Sequence, residues 1–424
     1  MEKLVIFPKT MAQGSINIPG SKSLSNRILL LSALAKGETK IRNLLHSDDT
    51  KHMIEALELL GIDCQKDAGI LTVCGQGGAF ATGGENIELY LGNAGTAMRP
   101  LAAALCLGNG AYTLTGEPRM QERPIKDLVD AILPLGADIT YLKNSGFPPL
   151  KIKASGLKGG KTSVAGNISS QYTTALLMAG PLMQNGLELA ISGEVVSQPY
   201  IDLTIALMEQ FGCHVAFDSM TYRVQPTPLQ SPGDILVEGD ASSASYFLAA
   251  AAISGGKVRV TGVGRLSTQG DIGFVHVLEK LGAKVSLGDS WVEVQGTKQL
   301  SGIDIDMNEM PDVAMTLAML GLFSSTPIRI TNIYNWRLKE TDRLSAMATE
   351  LKKLGAEVEE GRDYISVFKK APLKAAQIAT YNDHRMAMCF SLAAFAGIEV
   401  TIEDPKCTAK TFPDYFDKFA EITS

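Results

Sequence analysis

The sequence predicts an α/β protein of two similar domains, each built from three copies of one repeated unit. Three observations carry this reading. First, a helical apolar pattern ending in a hydrophobic residue, a Gly and a strand-like run recurs as EALELLGIDC, DAILPLGADI, ALMEQFGCHV, VLEKLGAKVS and ELKKLGAEVE. Its glycines, Gly61, Gly136, Gly212, Gly282 and Gly355, are spaced 70 to 76 residues apart. Second, between them lies a polar opening, an Ala/Leu-rich helix, a small-residue break and a β-branched strand, with copies beginning at Ser21, Asn93, Ser169, Ala241, Pro311 and Asp383. Third, a chain of 424 residues suits two or three domains at ~150 residues each. A period near 70 residues is too long for a thin solenoid, whose repeats run to about 20–50.

Each element has a local cause. Gly directly after a helix supplies the left-handed conformation of a C-cap, and the Val/Ile-rich run after it reads as a strand. A sixth amphipathic helix begins at DYFDKFAEI. The segments SKSLSNRILLLSALAKGETKIRN and SQYTTALLMAGPLMQNGLELAISG run from capping residues through an apolar helix to a turn and strand. Such helices are apolar around most of their circumference and should be buried. The methionines of AMTLAMLGL fill core space, and GQGGAFATGGE reads as a β-hairpin loop. The Pro/Gly-rich stretch from Pro226 to Asp240 separates the two halves. Its strand DILVEGDASS parallels SINIPGSKS near the N-terminus, which makes Gly20 and Gly239 equivalent hinge candidates. The expected domains are therefore 20–239, and 1–19 joined with 240–424.

Composition narrows the function classes. Hydrophobic residues at 45% and charged residues at 20% exclude a disordered chain. Asp+Glu 45 against Lys+Arg 39, net −6, argues against a nucleic-acid partner, but not against small anions held by a local cluster of cations. The apolar run from Tyr246 to Ile253 falls far short of the ~20 residues that span a bilayer, and MEKLVIFPKT has no signal-peptide core, so no membrane role is expected. Six scattered cysteines read as reduced thiols of a cytoplasmic protein. The histidines form no ligand pair, and neither a P-loop nor GxGxxG is present, so neither metal nor cofactor is expected.

Chemistry concentrates where the buried helices open. Lys22, Ser23, Ser25 and Arg27 follow Gly20. Asn93, Gly95 and Thr96 open the second helix, Ser169, Ser170 and Gln171 the third, Asp312 the fifth, and Asp383, His384 and Arg385 the sixth. A helix N-terminus offers free N–H donors and partial positive charge to phosphate or carboxylate. Capping is the commoner role of Ser, Asn and Asp there, and for Ser242, Ser243 and Asp312 taken alone it is the better reading. Lys22 and Arg27 differ: they put cations where the dipole disfavours them, which makes sense with an anion present. In NWRLKETDRL, Lys339 and Arg343 would share a helix face with Glu340 beside them, a pattern that by composition alone describes a solvated helix. Further cations, Arg119, Arg123, Arg385 and Lys410, sit in short turn-like motifs. His384 suits either an acid–base group or a buried polar residue.

PGSKSLSNR, LGNAGTAMRPL, RLKETDRL, NDHRMAM and AKTFPDYF, in this order from Gly20 to Phe416, resemble the 5-enolpyruvylshikimate-3-phosphate (EPSP) synthase family. The resemblance implies the enolpyruvyl transferase fold: two domains of three βαβαββ units, crossed twice by the chain, with an active site in the interdomain cleft. It implies transfer of the enolpyruvyl group of phosphoenolpyruvate to the 5-hydroxyl of shikimate 3-phosphate, through a tetrahedral intermediate that eliminates phosphate. Asp312 then looks like the base, Glu340 like the proton donor to the methylene, and Lys22 like the group assisting phosphate departure. Contacts to shikimate 3-phosphate map to Lys22, Ser23, Arg27, Ser169, Ser170, Gln171, Ser197, Tyr200, Asp312, Asn335 and Lys339. Those to phosphoenolpyruvate map to Lys22, Gly95, Arg123, Gln171, Arg343, His384, Arg385 and Lys410. Gly95 beside Thr96 and Pro100 resembles the glyphosate-sensitive class, and the family expectation is a cytoplasmic monomer. The rival within the fold, UDP-N-acetylglucosamine enolpyruvyl transferase, carries a Cys in the loop that here reads GEPRMQERP. A non-catalytic anion-binding protein would need neither Asp312 nor Glu340.

Overall fold

The computed structural model describes residues 2–297 and 299–424, with backbone alone at 82–85. Among these residues the helices run α1 (Lys22–Leu34), α2 (Asp48–Leu59), α3 (Gly95–Leu105), α4 (Lys126–Ile132), α5 (Ser170–Ala179), α6 (Gln198–Gln210), α7 (Ala241–Ser254), α8 (Phe274–Lys280), α9 (Ala314–Leu320), α10 (Arg343–Lys353), α11 (His384–Ser391) and α12 (Tyr415–Ile422). Buried and amphipathic helices alternate as the repeat predicts. In α1, α3, α5, α7, α9 and α11 nearly every residue is buried. By contrast, α10 buries a stripe, Leu344, Met347, Ala348 and Leu351, at the i, i+3, i+4, i+7 spacing of one helix face. The five repeat glycines all adopt left-handed backbone, with φ from 81° to 107°, where a Cβ would be strained. None of the described helices is long and apolar enough to cross a membrane.

The chain divides into two compact units, Gly20–Val237, and Met1–Pro19 with Glu238–Ser424, each with its own hydrophobic core. The first unit holds three four-stranded sheets of one plan, a parallel edge strand followed by two antiparallel pairings. In the sheet of 109–115, for example, Ala81–Tyr90 pairs parallel, Leu150–Ser155 antiparallel, and Ile139–Tyr141 completes the edge. The second unit repeats the plan twice, and its third sheet has three strands. There Lys3–Ile6 pairs antiparallel with Val400–Glu403, so the N-terminal segment completes the last repeat.

The strands ahead of α1 and α7 are exchanged between units. Gln13–Asn17 pairs parallel with Lys257–Thr261 in the second unit, and Asp234–Leu236 pairs parallel with Lys36–Arg42 in the first. The second crossing falls just before the expected Gly239, for a hydrogen-bonding reason. Val237 N donates to Arg42 O at 3.0 Å, whereas Gly239 N donates to Gly262 O at 2.7 Å. Glu238 stands between them with its carboxylate taken by Ser267, Thr268 and Gln269. One expectation fails. GQGGAFATGGE is not a hairpin, because Ile70–Gln76 and Ala81–Tyr90 belong to different sheets; its residues 82–85 lie outside the described side chains.

Candidate functional site

In the unit Gly20–Val237, the predicted residues gather at the starts of α1, α3 and α5. Ser21 makes no side-chain cap bond at the start of α1, so the side chain leaves the first-turn N–H groups to other acceptors. Lys22 Nζ lies 3.5 Å from Asp49 Oδ2, and both are buried. The anion foreseen for Lys22 is thus supplied in part by Asp49. Its sequence signal is hidden, because Asp48-Asp49 after Ser47 reads as ordinary first-turn charge on α2. Arg27 donates from Nε to Thr204 Oγ1 at 2.7 Å and from Nη1 to Ser23 O at 3.0 Å. Burial lowers its pKa to about 10, an effect opposed by Tyr200.

Arg123 is fixed from one side only. Its Nη1 donates to Asn93 O at 3.0 Å and to Asn93 Oδ1 at 2.9 Å. Nε is buried and has no hydrogen-bond partner among the described residues. A Cβ built on Gly95 would lie 2.7 Å from Arg123 Nη2 and 3.1 Å from Cζ. Ser169 caps α5 by accepting from Gln171 N at 3.2 Å, which places Ser170 and Gln171 in the first turn. Ser197 caps α6 in left-handed backbone, φ 57°, with Tyr200 at its first turn. A non-Gly residue held there marks a constrained site.

In the other unit the predicted residues converge on Asp312. Its carboxylate meets Arg385 Nη2 at 2.8 Å, Arg343 Nη1 at 3.0 Å and Lys339 Nζ at 3.6 Å. Burial would raise its pKa, but Arg385, Lys339 and Arg343 outweigh that and hold it well below the usual carboxylate range. The capping role is overturned, because α9 begins at Ala314 with Val313 as its N-cap. Arg343 is fully buried; it also pairs with Asp383 (Nε–Oδ2 2.7 Å) and Glu340 (Nη2–Oε2 2.8 Å). Lys410 Nζ approaches Glu340 Oε1 at 4.0 Å.

Lys339 and Arg343 do not share a helix. Asp342 caps α10 by accepting from Ser345 N, so the helix starts at Arg343, while Lys339 ends a separate short 3-10 segment, Tyr334–Leu338. They meet at Asp312 through the turn between. The solvated-helix reading fails as well, since Glu340 and Arg343 are buried. Asn335 is buried with Oδ1 lacking a hydrogen-bond partner among the described residues. Asp383 caps α11 through Arg385 N, and fully buried His384 sits 3.6 Å (Nδ1) from Asp383 Oδ1. Asp271, not foreseen, accepts from Ser242 Oγ; burial, then the Asp312 charge, raises its carboxyl to about 7.

These residues lie on a chain that matches, over 7–419, the profile of EPSP synthase (3-phosphoshikimate 1-carboxyvinyltransferase). The chain belongs to the EPSP synthase family. It is 57% identical over 427 aligned positions to the 3-phosphoshikimate 1-carboxyvinyltransferase of Shewanella baltica (strain OS155 / ATCC BAA-1091), and 58% to that of Vibrio campbellii (strain ATCC BAA-1116), covering the whole of each. The solved EPSP synthase of Acinetobacter baumannii superimposes with a TM-score of 0.83 at 25% identity, covering 100% of this chain and 98% of that one. The enolpyruvyl transferase NikO of Streptomyces tendae shares the fold, with a TM-score of 0.76 at 18% identity over 99% and 97% of the two chains. Arg27 and Arg123 are oriented by neutral oxygens, whereas Arg343 is matched by three carboxylates.

Proposed function

We infer that this protein catalyses the transfer of the carboxyvinyl group of phosphoenolpyruvate to the 5-hydroxyl of shikimate 3-phosphate with release of phosphate, a step of aromatic biosynthesis. The family membership over 7–419 carries the reaction, and the convergence of cations supports its assignment to these residues. Both substrates bear phosphate and carboxylate, which suit Arg and Lys donors and helix N-termini. Lys22, Ser23, Arg27, Ser169, Ser170, Gln171, Ser197, Tyr200, Asn335 and Lys339 bind shikimate 3-phosphate. Lys22, Gly95, Arg123, Gln171, Arg343, His384, Arg385 and Lys410 bind phosphoenolpyruvate. The orphaned Asn335 Oδ1 and Arg123 Nε support both assignments, because buried polar atoms are normally paired.

The 5-hydroxyl oxygen bonds to C2 of phosphoenolpyruvate as its proton passes to Asp312 and C3 receives one from Glu340. The tetrahedral intermediate then returns a proton from C3 to the Glu340 carboxylate as the C2–O bond to phosphate breaks, with Lys22 stabilising the departing oxygen. Asp312 surrounded by three cations is ionised but a weak base. Substrate phosphate and carboxylate claim those same cations, which raises the basicity of Asp312. Phosphate release from phosphoenolpyruvate is the test: release with shikimate 3-phosphate and none with UDP-N-acetylglucosamine is expected. The reverse preference would sink this reading.

Glyphosate is the expected inhibitor, occupying the phosphoenolpyruvate site beside Gly95. In Gly95→Ala the new methyl falls within 2.7 Å of Arg123 Nη2, and the Asn93 bonds to Nη1 limit retreat. Inhibition by glyphosate should weaken by about tenfold or more, with a smaller rise in the KM for phosphoenolpyruvate and unchanged affinity for shikimate 3-phosphate. Equal inhibition of the two proteins would refute the steric argument.

A further inference from the structure

Arg27 owes its orientation to a buried hydroxyl outside every motif that defines the site. Thr204 lies on α6 and is fully buried. Its Oγ1 donates to Tyr200 O at 2.7 Å, the carbonyl one turn earlier, and accepts from Arg27 Nε at 2.7 Å. A hydroxyl has one proton to give. Once Tyr200 O takes it, a lone pair must face Arg27, so the polarity of the chain Arg27 to Thr204 to Tyr200 is fixed. Ser23 O holds Nη1, and among the described residues Nη2 has no hydrogen-bond partner and no carboxylate lies within ion-pair distance of the guanidinium. The acceptors that aim Arg27 are therefore all neutral.

We propose that Thr204 is a positioning residue for shikimate 3-phosphate: it aims the Arg27 guanidinium without neutralising it and ties that aim to the backbone of Tyr200. This rests on the reading above, in which Arg27 and Tyr200 contact that substrate. A carboxylate at 204 would orient Arg27 equally well but cancel the charge an anionic ligand needs. An apolar residue would keep the charge and lose the aim. Ordinary helix packing explains a buried small residue at 204, but not why its hydroxyl engages one contact residue by side chain and another by backbone.

The test compares Thr204→Val, which keeps shape and removes the hydroxyl, with Thr204→Ser, which keeps the hydroxyl, and with Arg27→Lys. The measurements are the dissociation constant for shikimate 3-phosphate by calorimetry, kcat, the KM for phosphoenolpyruvate and the Tm. Thr204→Val should weaken shikimate 3-phosphate about ten- to hundredfold, the scale of one hydrogen bond to a charged group. The KM for phosphoenolpyruvate and kcat at saturation should stay within about threefold, and Thr204→Ser should restore most of the affinity. If Arg27→Lys weakens binding but Thr204→Val lowers only the Tm, Thr204 is structural and the proposal falls. Equal weakening of both substrates by Thr204→Val would also overturn it. If Arg27→Lys itself has no effect, the assignment of Arg27 fails and takes the role of Thr204 with it.

Discussion

Replacing Glu340 with Gln lowers kcat by about 10²–10⁴-fold, the usual contribution of a positioned acid or base, while shikimate 3-phosphate still binds. Gln keeps the volume of Glu and can still accept from Arg343 Nη2, now 2.8 Å from Oε2. Arg343 also retains Asp383 and Asp312, so its charge stays matched and the protein folds. What is lost is a carboxyl group able to exchange a proton, at a buried position beside Lys410. Steady-state kcat together with a calorimetric dissociation constant for shikimate 3-phosphate separates chemistry from binding. A variant that keeps kcat within about threefold would remove Glu340 from proton transfer.

The sequence announces Glu340 only through its motif, and the reason is physical. Helix periodicity and C-terminal glycines are local, so Gly61, Gly136, Gly212, Gly282 and Gly355 mark the repeats, and their left-handed backbone follows. The buried helices are equally legible, because α7 carries no charged residue and consists mostly of apolar ones. Partners are another matter. Arg343 meets Asp383, and Lys22 meets Asp49, across helices whose neighbourhood depends on how each unit packs within itself. No local pattern encodes that. Even within one motif the local reading misleads: four-residue spacing suggests a shared face for Lys339 and Arg343, yet the Asp342 cap breaks the helix between them. Thr204 is the extreme case, a buried Thr in an apolar helix whose role depends on Arg27, far away in sequence.

Replacing Arg343 with Met should be the most damaging change to stability in the second unit, costing about 3–5 kcal/mol and a Tm fall of the order of 10 °C. Met matches the stem of Arg but leaves Asp312, Glu340 and Asp383 around the position of the lost guanidinium, and removing one partner of a buried ionic cluster costs far more than the cluster contributes. The pH dependence identifies the mechanism. In the parent protein the Asp312 pKa is depressed, so its contribution to stability is present above the unfolded-state value and lost as pH falls. Without Arg343 the crowded carboxylates should titrate above their unfolded values, which reverses the sign: their contribution is present at low pH and lost as pH rises through the raised values. The stability gap between variant and parent should therefore be largest near pH 8 and shrink toward pH 5. Asp271, raised to about 7 by burial and then by the Asp312 charge, titrates in the same window, and Asp271→Asn in both backgrounds removes its share from the difference. Denaturant unfolding at the two pH values measures the gap directly. A gap independent of pH would mean that lost packing around Met, rather than unmatched carboxylate charge, accounts for the destabilisation.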